Sequence, residues 1–187
     1  MAIRIENSFH VPAGIEQSWR IINDVPRIAS CMPGTQLTGV AGDGSYRGHA
    51  KVKIGPVQLQ FNGEARLYDV DPLRHSMKVR SRASDAKGRG TVASEMGFAL
   101  VPDGERTRVD VVTELTLTGA VAQYGRGAGL IREVANQFTK DFADNLEKLV
   151  REEAGAPEAE VKPVSAFRLL FAAMRALVLR WLGRKQT

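Results

Sequence analysis

The stretch YRGHAKVKIGPVQLQFNGEARL, Tyr46 to Leu67, decides the fold. Tyr46, Ala50, Val52 and Ile54 alternate with Arg47, His49, Lys51 and Lys53. After the break at Gly55-Pro56, the residues Val57, Leu59, Phe61, Ala65 and Leu67 repeat the pattern. A two-residue period puts successive side chains on opposite sides of a strand, so this stretch predicts two antiparallel strands with one apolar and one polar face.

Working outward, the same period continues through Met77 and Val79, then Val92, Met96, Phe98 and Leu100, then Val109, Val111, Leu115 and Leu117. Turn residues punctuate it at Asp71-Pro72, from Asp85 to Gly90, and at Asp103-Gly104. Upstream, Ile3, Ile5, Phe9 and Val11 share one face of a first strand. Ile15, Trp19 and Ile22 then recur at helical spacing until Asp24-Val25-Pro26 closes that short helix, and Cys31 to Gly34 makes a turn. Downstream the period becomes helical: Ile131, Val134, Ala135, Phe138, Phe142, Leu146 and Leu149 form one stripe of a long helix from Ala128 to Val150. The expected architecture is α+β, a helix-grip fold in which a curved antiparallel sheet wraps around a long C-terminal helix, with a ligand-binding cavity between them.

The 187 residues leave an excess over one domain at positions 1–150. Residues 151–163, rich in Glu, Ala and Pro without apolar period, read as a linker. In the segment 164–187, Phe167, Leu170, Phe171, Met174, Leu177, Val178, Trp181 and Leu182 fall on one broad helical face, outside which lie Arg168, Arg175, Arg180 and Arg184. These four arginines and Lys185 equal the whole formal excess of +5, and no acidic residue accompanies them. The folded domain is therefore formally neutral, which argues against nucleic acid.

The longest uncharged run in this tail is Leu169 to Met174, far short of the roughly 20 residues that cross a bilayer. A basic amphipathic segment of this kind is expected to lie on an anionic membrane surface, each basic residue contributing about 1 kcal/mol. A protein surface is the alternative partner for its apolar face. With no basic and continuously apolar start resembling a secretory leader, and a single cysteine, the expected location is cytoplasmic and peripheral to the inner face of the cell membrane.

Catalytic chemistry finds no constellation. His10, His49 and His75 lie on different predicted strands or their ends without metal-ligand spacing, no serine sits in a GxSxG context, and Cys31 reads as a packed turn residue. Gly125, Gly127 and Gly129 precede the long helix but lack dinucleotide spacing and a parallel strand. Neither a catalytic residue nor a metal site is expected. The inward positions instead suggest an apolar lining for a hydrophobic ligand: Tyr46, Phe61, Met77, Met96, Phe98 and Leu117 from the sheet, Tyr124, and Ile131, Val134, Phe138 and Phe142 from the helix. Inward Phe and Met also serve simply as core.

Three stretches carry a family resemblance: Ile28 to Gly34 (IASCMPG); Lys51 to Pro56 (KVKIGP) with Phe61-Asn62-Gly63; and Gln123 to Arg126 (QYGR), leading to Phe138 and Phe142 to Leu146. In these the chain resembles the family of the carbon monoxide dehydrogenase G protein, within the START-like helix-grip superfamily, over about residues 1–150. The resemblance implies a non-enzymatic accessory protein of a molybdenum-containing carbon monoxide dehydrogenase or related hydroxylase. Such a protein carries a quinone, menaquinone or ubiquinone, between membrane and enzyme and recruits the enzyme to the membrane. An assembly adaptor without ligand carriage is the alternative, and a cyclase or hydrolase using the cavity a third reading.

Overall fold

A computed structural model describes residues 2–54, 56–125 and 128–155. The tail residues Phe167 to Lys185, with Gly55, Arg126 and Gly127, lie outside the described residues. Seven strands form one antiparallel sheet: β1 (Ala2–Val11), β2 (Thr35–Val40), β3 (Tyr46–Ile54), β4 (Val57–Asp71), β5 (Ser76–Asp85), β6 (Thr91–Asp103) and β7 (Arg106–Leu117). Their order is β1-β7-β6-β5-β4-β3-β2, so β2 to β7 meander while β1 closes against β7. The helices α1 (Ile15–Asn23) and α2 (Val25–Ala29) connect the two edge strands. A 3-10 turn at Gly119–Val121 and one turn of helix, α3 (Ala122–Gly125), lead into α4 (Ala128–Gly155).

Helix α1 ends at Asn23, where the pre-proline restriction places its end, but the chain starts a second helix at once. Asp24 caps α2, its Oδ1 accepting from the Arg27 N–H at 3.2 Å. Pro26 sits in the first turn, where its missing donor is not needed. Helix α4 runs five residues past Val150, into the segment read from sequence as linker. Glu and Ala are good helix formers, and Arg151 pairs with Glu147 one turn back, so the helix continues after its apolar stripe has ended. Glu152 and Glu153 thus belong to the helix.

The sheet bends where two glycines face each other. Gly48 and Gly63 are register partners, and a Cβ on Gly63 would stand 2.6 Å from that of Ala83. One on Gly48 would meet the Gln36 carbonyl oxygen at 2.7 Å. Adjacent strands approach too closely there for any side chain.

The sheet buries the face that carries Ile3, Ile5, Phe9 and Val11 on β1. Helix α4 packs on that face, with Phe142 edge-on to Phe9 at 5.4 Å between ring centroids. The buried core is divided. One cluster joins Phe9, Val11, Met77, Leu100 and Val109 with α1 and with Phe142, Leu146 and Val150 of α4. The other joins Ile3, Ile5, Leu59, Phe61 and Leu117 with Val121 and Ile131. Ile131 and Phe142 are separated by about 16 Å of helix at a rise of 1.5 Å per residue.

Candidate functional site

Between the two clusters runs a belt of half-buried residues. On β1, Asn7 separates Ile5 of one cluster from Phe9 of the other. Strand register carries the belt across the sheet in two adjacent rows. One contains Thr113, Met96 and Val79, and the next contains Ser94, Ser81, Ala65 and Tyr46. On α4, Phe138 occupies the matching interval. Tyr46, Ala65, Val79, Met96 and Phe138 belong to neither cluster. All are intermediate in exposure, in contrast to Met77 at 3 % and Leu146 at 0 %.

The lining expected from sequence is therefore sorted by the fold. Tyr46, Met96 and Phe138 lie in the belt. Met77 and Phe142 are buried in the first cluster and Phe98 packs against it. Phe61, Leu117 and Ile131 are buried in the second, with Tyr124 and Val134 packed against it. The buried five serve as end walls.

Sequence reasoning missed the polar members of the belt. The hydroxyls of Ser81 and Ser94 are 2.7 Å apart across the β5–β6 ladder, and Asn7 Nδ2 donates to Asn136 Oδ1 at 2.7 Å. Their signal was present in the alternation: Ser81 falls between Val79 and Ala83, and Ser94 between Val92 and Met96, so both hydroxyls have the inward phase.

Elsewhere polar groups serve the fold. Asp85, at the end of β5, has a fully buried carboxylate that accepts from Arg89 Nε at 2.8 Å and Nη2 at 2.6 Å. The Arg89 hydrogen bonds, with backbone donors from Lys87 and Arg89, outweigh desolvation and hold its pKa at about 2. Ser18 and Thr107, both 0 % exposed, donate to the Ala13 carbonyl at 3.0 and 2.8 Å. Cys31 is buried; burial pushes its thiol pKa up, against the opposing effects of a Ser30 hydrogen bond and the Arg27 charge. Such a thiol is a weak nucleophile. His10 pairs with Asp103, and His75 with Glu16 beneath the edge of Trp19. Among the described residues no group of three His, Cys, Asp or Glu could hold a metal.

The opposite face of the sheet carries an open groove of about 770 Å³, lined by Glu64, Arg66, Arg80, Arg82, Glu95 and Glu114 among others. Arg80 bonds Glu95 at 3.0 Å and lies over the Tyr68 ring, and Arg4 reaches Glu114 at 3.5 Å. This face is mixed in charge and laced with ion pairs.

A bent antiparallel sheet closed over a C-terminal helix, with an incompletely filled interior between them, defines a START-like helix-grip protein. Solved structures agree on the fold. A conserved protein from Geobacillus kaustophilus superposes with a TM-score of 0.69 at 20% identity, covering 80% of this chain and 96% of that one. An aromatase/cyclase from Streptomyces gives 0.58 at 14% identity, covering 83% and 98%. A START superfamily protein from Mycobacterium smegmatis gives 0.51 at 18%, covering 80% and 97%. No curated protein matches the sequence. Residues 8–151 match the family of the carbon monoxide dehydrogenase G protein (CoxG), and the chain belongs to that family.

Proposed function

We propose that this protein is a non-enzymatic accessory to a molybdenum-containing carbon monoxide dehydrogenase or related hydroxylase. In this reading it carries a quinone, menaquinone or ubiquinone, in the belt between sheet and α4. The observation that carries this reading is the division of the core. A filled interior would have joined the two clusters; a belt of small and half-buried side chains leaves apolar surface that a ring and its isoprenoid chain would cover. The described belt residues offer hydroxyl, amide and apolar groups, and no carboxylate, imidazole or amine, which favours binding over acid–base catalysis.

The membrane half of the proposal rests on the basic amphipathic segment 164–187, which would hold the domain at the inner face of the cell membrane and bring the enzyme there. Among the described residues no helix is long and apolar enough to cross a membrane. Since α4 continues to Gly155, the chain should be cut after that residue to separate the two roles.

Lipid extraction from the purified full chain, followed by titration with added menaquinone, tests carriage: absence of quinone and of binding overturns it. Sedimentation with anionic liposomes tests attachment. A chain ending at Gly155 that sediments like the full chain removes the tail from the account. The adaptor reading has its own observation, the ion-paired groove on the outer face. Normal partner activity with the belt blocked by Ala65→Phe would favour it.

A further inference from the structure

The geometry points to the Ser81–Ser94 hydroxyl pair as the anchor for the oxygen-bearing head of the carried molecule, one that accepts its oxidised and reduced forms alike. The inference rests on the carrier reading. The two serines are direct register partners on β5 and β6, and both point to the face that α4 covers. In their own row the flanking partners are Ala65 on β4 and Leu115 on β7, so the pair is a polar spot in an apolar wall.

Two hydroxyls own two donor hydrogens. Either oxygen can donate to the other across their 2.7 Å separation, which uses one hydrogen and leaves one. Neither serine side chain has another hydrogen bond among the described residues. The remaining hydrogen can donate to a ring carbonyl, and the remaining lone pairs can accept from a ring hydroxyl. Because hydroxyls rotate, one site serves both without side-chain rearrangement. A fixed donor such as an amide N–H would favour the carbonyl form, and a carboxylate the hydroxyl form. The serine pair discriminates against neither, which suits a molecule that arrives in one redox state and leaves in the other. Small side chains at 65, 81 and 94 leave space beside the anchor, while Met96 and Phe138 offer the soft apolar contact a flat ring requires.

Three probes test the anchor on the full chain: a short-chain naphthoquinone, its dihydroxy form under anaerobic reduction, and the matching naphthalene hydrocarbon without ring oxygens. The native protein is expected to bind the two oxygenated probes within about threefold of each other. It should bind the hydrocarbon about tenfold more weakly, the effect of one hydrogen bond. The Ser81→Ala/Ser94→Ala variant should lose about tenfold toward both oxygenated probes and keep its affinity for the hydrocarbon. Each single Ala variant, with a melting curve as folding control, should lose part of that affinity. Unchanged affinity of the double variant for the oxygenated probes overturns the anchor and leaves carriage standing. If the native protein binds no probe, carriage itself falls.

Discussion

Asn7 on the edge strand β1 donates through Nδ2 to Asn136 Oδ1 on α4 at 2.7 Å, and this bond spans the gap between the two apolar clusters. It ties sheet to helix at the level where packing is incomplete. Being exposed, the bond should add only about 0.5–1.5 kcal/mol to stability. Its larger effect should be on access: Asn7→Ala and Asn136→Ala are each expected to speed release of bound naphthoquinone. A double-mutant cycle on the release rate should show the two coupled; independent effects would separate the amide pair from gating.

Ala65 lies in the belt with a methyl group where a larger side chain would project toward α4. Ala65→Phe is expected to fill the space, abolish quinone binding and leave the melting temperature unchanged or higher. Retained binding in calorimetric titration would place the ligand elsewhere.

Leu146 and Phe138 are both apolar stripe residues of α4 but have different tasks. Leu146 is 0 % exposed in the first cluster, so Leu146→Ala should cost about 2–5 kcal/mol in urea unfolding. Phe138 is half-buried outside either cluster, so Phe138→Ala should cost less than half as much yet weaken ligand binding. Equal stability losses would identify Phe138 as ordinary core.

Asp85 supplies a pH dependence. Its folded pKa of about 2 lies below the ordinary 3.8, so its stabilising effect is complete above about pH 4 and is lost as pH falls toward 2. Melting temperatures of the native protein and Asp85→Asn should differ most at neutral pH and converge between about pH 4 and 2. A constant gap would contradict the role given to the Arg89 pair.

Cys31 should resist thiol reagents while the protein is folded, since burial raises its pKa and its chain segment is held to α4 by Asn145 Nδ2 donating to the Cys31 carbonyl at 3.1 Å. Colour development with a disulfide reagent should be slow in buffer and immediate in denaturant; rapid labelling of the native state would refute the packed position.

The sheet was legible because alternation is written locally: the pattern from Tyr46 to Leu67 and its successors predicts strands that the fold contains, with the same face inward. Helix α2 was less legible, since Asp24-Val25-Pro26 ends one helix and begins another, and the same proline accounts for both. The end of α4 was obscured by reading the loss of apolar period as the loss of helix, although propensity and an i, i+4 ion pair sustain the helix without one.

Sequence by itself determined which side chains face inward and where the net charge resides, because both follow from the order of residues along the chain. Only the tertiary structure decided which inward residues become core and which line a gap. Met77 and Met96 look alike in their strands, yet one is 3 % exposed against α4's buried cluster and the other lies in the belt. Ser81 and Ser94 become a pair only through the register of β5 and β6. Periodicity is a property of one segment, whereas incomplete packing depends on what strands and helix bring opposite each other.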